Sequence, residues 1–221
     1  MWGSIKAVFF DMDDTLVLTG EADTRAYNDV MDLAKRLHAQ IDAKALLKAW
    51  KERFLKAPWD MNHKVHVDEW RIGLWHSALI SQGIDDAEMA KQLQAMFRTA
   101  RLEHFILEHG VKEMVEGLKG RGLKAVIITN GHSEIQRGKL ERVQAATLFD
   151  AILVGGEEIA AGGREKPAAS IFLKACQLAG CQPSEAVHIG DSLGADIQGG
   201  INADLAATIW EKAQRSPVEP V

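Results

Sequence analysis

Apolar residues follow two different patterns in the first half of this chain. Residues 5–10 are apolar except for Lys6, a run that is typical of a short strand buried on both faces of a parallel sheet. Between residues 20 and 106 the apolar positions recur every three or four residues instead, which is the spacing of amphipathic helices. Four such helices in succession predict a helical bundle.

The pattern changes again after residue 111, where segments of helical spacing alternate with short apolar runs. Such alternation predicts a parallel sheet with helices on both faces, an α/β architecture of Rossmann-like type. The helical block is therefore an insertion, and we expect a core of residues 1–19 and 107–221 and a helical domain of residues 20–106. The predicted core helices are 111–120, 133–143, 167–179 and 194–202, and the later strands are 124–129, 151–154, 186–190 and 206–209.

Composition excludes some partners. The 221 residues carry a formal net charge of −5 without a basic run, which argues against nucleic acid as a partner. No segment reaches about 18 consecutive apolar residues, the length of a membrane-spanning helix. The first predicted strand begins at Ile5, which leaves no room for a signal peptide. We therefore expect a cytoplasmic protein without a membrane partner, and we also expect a monomer or a weak dimer.

Three carboxylates follow the first predicted strand: Asp11, Asp13 and Asp14. Because successive side chains of an extended chain point to opposite sides, Asp11 and Asp13 share one side. Two carboxylates that face the same crevice repel each other, and the repulsion raises one pKa unless a cation lies close by. The sequence therefore predicts a metal ion or a lysine between them. Asp14 points the other way and is expected to form a local turn hydrogen bond.

A second group of polar residues follows the strand 124–129. This strand ends at Thr129 and is followed by Asn130 and Gly131, and Ser133 and Gln136 then have the spacing of a capping box. A hydroxyl, an amide and backbone N–H groups at the start of a helix form an anion site. In an open parallel sheet, ligands bind where the carboxyl ends of the strands meet, so this group is predicted to lie near the aspartates.

Further candidates come from the last third of the chain. Lys166 precedes Pro167, a residue that suits the first turn of a helix, so the ammonium group is predicted near a helix start. The strand 186–190 delivers Asp191 and Ser192, and Asp196 follows. Each short motif alone is most often a turn, but together they bring several acids, a lysine and an anion site to one edge of the sheet. Hard oxygen ligands beside an anion site suit Mg²⁺.

These motifs resemble, in order and spacing, the four motifs of the haloacid dehalogenase superfamily. They are DMDDT at residues 11–15, TNG at 129–131, Lys166 in EKPAASIF and Asp191 in HIGDSLGAD. The resemblance covers the whole predicted core, and the helical insertion is similar to the C1-type cap of that superfamily. Several core segments are also similar to those of phosphatases that act on a sialic acid phosphorylated at its ninth carbon, so this substrate is a candidate.

The resemblance implies a role for each residue. Asp11 would be the nucleophile that forms an aspartyl-phosphate, and Asp13 would protonate the leaving alkoxide and then activate water. Mg²⁺ would be bound by the carboxylates of Asp11 and Asp191 and the backbone carbonyl of Asp13. Asp196 and Ser192 would orient this shell. The phosphoryl oxygens would be held by Thr129, Asn130, Gly131 and Lys166.

The helical insertion is expected to select the substrate. Arg71 is similar to an arginine in the cap of the related phosphatases and would bind a sugar-acid carboxylate bidentately; the alternative is an ordinary arginine on a helix surface. Trp59 is predicted to line the substrate site, whereas Trp50, Trp70 and Trp75 are expected in the core of the bundle. The loop between residues 57 and 67 differs from that of the related enzymes, which leaves the substrate open.

The sequence thus predicts an Mg²⁺-dependent phosphomonoesterase for a small phosphorylated metabolite, and several alternatives remain. A phosphosugar mutase would keep all four motifs, although Thr15 fits hydrolases better. A dehalogenase would not need Asp13. Phosphoglycolate and nucleotides are other candidate substrates, and a non-catalytic scaffold would be expected to have lost one of the acids, none of which is missing.

Overall fold

The computed structural model describes residues 5–57 and 65–212. The chain divides into two compact units, one of Gly20–His104 and one of Met1–Thr19 together with Phe105–Val221. Within the described ranges, none of the helices combines the length and the apolar character needed to cross a membrane.

The discontinuous unit contains a parallel sheet of five strands, which confirms the predicted α/β class. The strand order is β3-β2-β1-β4-β5 and every pairing is parallel. The first strand is central. The next two strands, β2 and β3, lie on one side of it and the last two, β4 and β5, lie on the other, as in Rossmann-like folds. The strands are β1 Ala7–Phe10, β2 Lys124–Thr129, β3 Ala151–Val154, β4 Ala186–Gly190 and β5 Ala207–Trp210.

Consecutive apolar residues form β1 because both of its faces are covered. Phe9 belongs to an apolar cluster that includes Phe172, while Phe10 meets the edge of the Phe149 ring at a centroid distance of 6.1 Å. Phe9 and Phe10 are both buried. Burial on two faces explains the absence of alternation between apolar and polar residues in this strand.

The predicted helices 111–120 and 133–143 agree with the structure to within one residue, whereas those predicted next to Pro167 and Gly194 differ. The predicted helix at 194–202 is a π-helical turn, Leu193–Ile197, followed by α10. The predicted position of Pro167 in a first helical turn is wrong, since α9 begins at Ala169. A 3₁₀ turn, Pro183–Glu185, precedes β4. The α-helices are α5 Val111–Gly120, α6 Ser133–Arg142, α7 Ala145–Leu148, α8 Gly155–Ala160, α9 Ala169–Ala179 and α10 Gln198–Asn202; α7 and α8 were not predicted.

The other unit consists of the four predicted helices packed around an apolar core. Asp42 and Asp86 accept hydrogen bonds from backbone N–H groups in the first turns of the second and fourth helices, which is the usual function of an aspartate at the N-cap. Trp50 and Trp75 are buried, as predicted, and stack at a centroid distance of 4.8 Å. The helices are α1 Thr19–Leu37, α2 Ala43–Lys56, α3 Val67–Ile80 and α4 Ala87–Glu103.

Candidate active site

Polar side chains converge at the carboxyl ends of β1, β2 and β4. The β1 residue Phe10 pairs with Ile127 on one side and with Ile189 on the other, and the next residue, Asp11, continues this register with a backbone N–H bond to the Ile189 carbonyl at 2.9 Å. Successive strands of the chain are placed first on one side of β1 and then on the other, so β1 is the topological switch point of the sheet. Open α/β sheets bind ligands at such a point.

Lys166 lies in the centre of this group. Its Nζ donates to Asp11 Oδ1 at 2.6 Å, to Asp196 Oδ1 at 2.7 Å and to the carbonyl oxygen of Ile128 at 2.7 Å. An ammonium group has three N–H donors, and all three are used here. The side chain is only 2% exposed. The lysine and the first aspartate, which were predicted from motifs far apart in the chain, are therefore in direct contact.

Burial and charge perturb both partners. Burial raises the pKa of Asp11 to about 7, since it outweighs the opposing charge of Lys166, and the neighbouring Asp196 raises it further. Burial lowers the pKa of Lys166, but the charges of Asp11 and Asp196 outweigh burial and raise it overall. The lysine is thus cationic at neutral pH, whereas Asp11 needs a further positive charge to be fully ionised.

A buried histidine that the sequence argument did not identify completes this network. His188 Nε2 lies 2.9 Å from Asp196 Oδ1, and the backbone N–H of Ser192 donates to Asp196 Oδ2 at 3.0 Å. Burial lowers the pKa of His188, so the neutral ring donates through Nε2. Both oxygens of Asp196 therefore accept hydrogen bonds, as suits a residue that orients Lys166.

Asp191 supplies the carboxylate that remains available for a metal ion. Ligand oxygens of Asp11, Asp191 and Asp196 all lie within 4.8 Å of one another. Burial raises the pKa of Asp191, and the charges of Asp196 and Asp14 raise it further. The indole N–H of Trp210 donates to the carbonyl of Asp191 at 2.8 Å and anchors its loop. Because both oxygens of Asp196 already accept hydrogen bonds, Asp11 and Asp191 are the better candidates to hold Mg²⁺.

Asp13 has a separate set of partners. Its Oδ1 accepts from Thr19 Oγ1 and from Lys139 Nζ, each at 2.6 Å, and its Oδ2 accepts from Gln136 Nε2 at 2.9 Å. Burial raises the pKa of Asp13, but the charge and hydrogen bond of Lys139, together with the other two donors, outweigh burial and hold it at about 2. The expectation of one cation between Asp11 and Asp13 is therefore replaced by two lysines, one for each carboxylate.

Gln136 and Lys139 are site residues that the sequence argument missed. The predicted capping box of Ser133 and Gln136 is wrong, because α6 begins at Ser133 and His132 occupies the N-cap position. The amide of Gln136 instead reaches Asp13, the Thr129 hydroxyl at 3.2 Å and the carbonyl of Asn130. Polar residues on the inward face of a helix were the signal that could have identified both.

Two residues of the predicted anion site are hydrogen-bonded to the segment that carries Glu165 and Lys166. Asn130 makes two of these bonds. Its side-chain Nδ2 donates to the carbonyl of Lys166 at 2.8 Å, and its Oδ1 accepts from the backbone N–H of Lys166 at 3.0 Å. The amide thus fixes the lysine loop. The backbone N–H of Gly131 donates to Glu165 Oε2 at 3.3 Å, and the hydroxyl of Thr129 is buried beside Gln136. Phosphate binding by these residues stays a prediction.

Two residues of the helical unit, Trp59 and Arg71, were predicted to contact the substrate. Trp59 lies outside the described residues. Arg71 is half-buried, its guanidinium carbon lies 6.0 Å from the centroid of the Phe54 ring, and among the described residues its Nε has no hydrogen-bond partner. Burial, followed by the charge of Arg101, lowers the pKa of Arg71 to about 10. Arg71 is therefore not an ordinary, fully solvated surface arginine.

Comparisons with known proteins agree with this geometry. Residues 5–204 match the model of the haloacid dehalogenase-like hydrolases. The chain is 35% identical to the N-acylneuraminate-9-phosphatase of Rattus norvegicus, over 93% of this chain and 82% of that protein, and 26% identical to a ribulose-1,5-bisphosphate 5-phosphatase of Halopiger xanaduensis, over 95% and 86%. A magnesium-bound HAD hydrolase of Bacillus subtilis superposes with a TM-score of 0.65 at 22% identity, covering 98% of this chain and 90% of that one.

Proposed function

We propose that this chain, which belongs to the haloacid dehalogenase-like hydrolase family, is a phosphatase that hydrolyses small phosphomonoesters with Asp11 as its nucleophile. One observation carries the proposal: Lys166 contacts both Asp11 and Asp196, and Asp191 lies in the same group of carboxylates. A nucleophile, a cation and acids that suit a metal thus lie together at one edge of the sheet. The curated relatives named above are phosphatases of small metabolites.

The reaction begins when a carboxylate oxygen of Asp11 attacks phosphorus. The new oxygen–phosphorus bond forms as the bond to the leaving alkoxide breaks, which gives an aspartyl-phosphate. Water then attacks the phosphorus, inorganic phosphate leaves, and Asp11 is restored. Lys166 compensates the negative charge of the phosphoryl group, and backbone N–H groups near Gly131 hold its oxygens. Mg²⁺, bound by Asp11 and Asp191, would add further charge compensation.

Asp13 is the acid and base of this scheme. It gives its proton to the alkoxide in the first step and takes a proton from water in the second. With its pKa held at about 2, the carboxylate is ionised in the structure described here. Proton donation therefore requires that substrate binding raise this pKa, as the negative charge of a phosphoryl group close to the carboxylate would do.

We further propose that Gly20–His104 is the substrate-selecting cap and that the substrate is a phosphorylated sugar acid, with N-acylneuraminate 9-phosphate as the specific candidate. Two observations support this: the identity of 35% to the rat enzyme, and an arginine, Arg71, whose buried Nε lacks a partner among the described residues. A guanidinium in this state binds a carboxylate with little reorganisation. Trp59 remains a proposed contact of the same substrate.

A substrate panel tests the reaction class. We expect Mg²⁺-dependent release of inorganic phosphate, abolished by a chelator and reduced by roughly a thousandfold or more in Asp11→Asn, because the covalent route is lost. The panel contains N-acylneuraminate 9-phosphate, neutral sugar phosphates, phosphoglycolate, nucleotides and a 2-haloacid. Phosphoryl transfer to another sugar hydroxyl would favour a mutase, and halide release would favour a dehalogenase. Full activity of Asp11→Asn would contradict the assignment of Asp11 as the nucleophile.

The role of Arg71 has its own test. Arg71→Met should raise KM for the sugar-acid phosphate by about 10-fold or more, because a charge-assisted bidentate contact is lost. KM for a neutral sugar phosphate should not change. Arg36→Met, at an exposed position of the same unit, is the matched control. An equal effect of Arg71→Met on both substrates would contradict carboxylate binding while leaving the phosphatase assignment intact.

A further inference from the structure

We propose that Gln136 and Lys139 are positioning residues. They hold the Asp13 carboxylate in a fixed position relative to the predicted phosphate-binding loop after β2, so that Asp13 can transfer a proton. The inference rests on the proposed function, since it assigns a task to two residues in the same reaction. Neither residue belongs to the four motifs, and both come from one face of α6, three positions apart. Residues at that spacing are neighbours on a helix surface.

The contacts fix both oxygens of the carboxylate. Lys139 Nζ donates to Oδ1 at 2.6 Å, and Gln136 Nε2 donates to Oδ2 at 2.9 Å. A carboxylate held at both oxygens by side chains of one helix cannot rotate about its terminal bond without breaking a hydrogen bond. The orientation of Asp13 is therefore set by α6 in addition to the end of β1.

Gln136 also links Asp13 to the loop after β2. The same Nε2 lies 3.2 Å from the hydroxyl of Thr129 and contacts the carbonyl of Asn130. Thr129 and Asn130 belong to the predicted phosphate-binding loop. A single amide thus aligns the acid with the loop that would hold the phosphoryl group, and alignment within a fraction of an ångström is what proton transfer requires.

Burial distinguishes these residues from a surface ion pair. The side chain of Lys139 is 4% exposed, whereas that of Asp13 is 28% exposed, so the aspartate retains an accessible side towards a ligand. The Lys139 ammonium also lies 5.2 Å from the centroid of the buried Phe105 ring. Burying a lysine is unfavourable, and replacing a buried ion pair as a whole by well-packed apolar residues is often neutral or stabilising. A role in positioning Asp13 accounts for the charged residue.

Leaving-group dependence separates positioning from a structural role. Alkyl phosphates need a proton on the leaving oxygen, whereas aryl phosphates such as p-nitrophenyl phosphate do not. Since general acid catalysis contributes about 10²- to 10⁴-fold, Lys139→Met and Gln136→Leu should each lower kcat/KM for an alkyl phosphate by about 10-fold or more, because kcat/KM reports the step in which the leaving oxygen takes its proton. Both should change kcat/KM for p-nitrophenyl phosphate by less than about 3-fold, because this leaving group needs no proton and the later hydrolysis of the aspartyl-phosphate does not enter kcat/KM. Lys139→Arg should recover part of the alkyl activity.

Three comparisons make the outcomes distinct. Arg137 lies on α6 as well and forms an exposed ion pair with Glu157 of α8, and Arg137→Met should affect neither substrate. Asp13→Asn should show the same alkyl-selective loss; without it, the proposed role of Asp13 itself fails. If Asp13→Asn shows the loss while Gln136→Leu and Lys139→Met lower kcat/KM equally for both substrates, or raise it for the alkyl phosphate, the inference about α6 is overturned. Gln136→Leu keeps the test decisive if Lys139→Met does not fold.

Discussion

Lys166→Met is the substitution whose effect on stability follows most directly from the structure. Methionine keeps most of the apolar stem but removes the ammonium group that lies 2.6 Å from Asp11 and 2.7 Å from Asp196. Both carboxylates are nearly buried, with exposed side-chain fractions of 9% and 1%. The variant therefore leaves two nearly buried carboxyl groups close together without a counter-charge.

The expected loss is large for one residue. Removing one partner of a buried ion pair destabilises a protein by about 3–5 kcal/mol. For a chain of this length each kcal/mol shifts Tm by roughly 2–4 °C, so Tm should fall by at least roughly 6 °C in the presence of a chelator. Lys124→Met is the matched control, because Lys124 pairs with Asp150 at 2.9 Å while 52% of its side chain is exposed. That change should cost about 1 kcal/mol or less.

The pH dependence of this loss tests its electrostatic origin. Without the lysine, the folded-state pKa of Asp11, which is already above its unfolded value, rises further, and the pKa of Asp196 rises as well, so the folded variant binds more protons than folded wild type and gains stability relative to it as pH falls. The deficit of Lys166→Met relative to wild type should therefore shrink between pH 8 and pH 5 in thermal unfolding measured by circular dichroism. A deficit that is constant over this range would refute the reasoning and indicate lost packing alone.

Three further predictions concern other parts of the chain. The folded-state pKa of Asp13, about 2, lies below its unfolded value of 3.8. Its ion pair should therefore contribute about 2 kcal/mol to the free energy of unfolding at pH 7, a contribution that disappears as pH falls towards 2. In urea unfolding, Asp13→Asn should be less stable than wild type at pH 7 but not near pH 2. The added methyl of Gly190→Ala would overlap the carboxyl group of Asp196, so unfolding experiments should show a loss of about 1–3 kcal/mol together with reduced kcat. Trp75→Phe removes the buried indole bond to Gln94 Oε1 and should cost about 1–3 kcal/mol in thermal unfolding; no change would contradict the importance of this bond.

The sequence predicts the central strands of the sheet well because they are buried on both faces. The bounds of β2, β3 and β4 are those of the predicted strands, since each is a nearly continuous apolar run between turn residues. The π-helical turn Leu193–Ile197 was not predicted. Its first turn is shaped by hydrogen bonds of Ser192 and Asp196, which a periodicity argument does not include.

The residues missed in the candidate site share one property: their partners are tertiary. Lys139 contacts an aspartate 126 positions earlier, and the amide of Gln136 makes contacts with the same aspartate instead of capping its helix. His188 stands inside a buried strand. In each case a polar residue occupies a position at which the apolar pattern predicts an apolar side chain. Its hydrogen-bond partner is identified only by the fold.

The central claim is that Asp11 becomes covalently phosphorylated during turnover. The direct test is to quench the protein during hydrolysis of a phosphomonoester, reduce it with borodeuteride, and locate the label by peptide mass spectrometry, since an acyl phosphate is reduced at its carbonyl carbon. The account predicts deuterated homoserine at position 11, dependent on substrate and Mg²⁺. Label at another residue, or none at position 11 while phosphate is released at an undiminished rate, would contradict it.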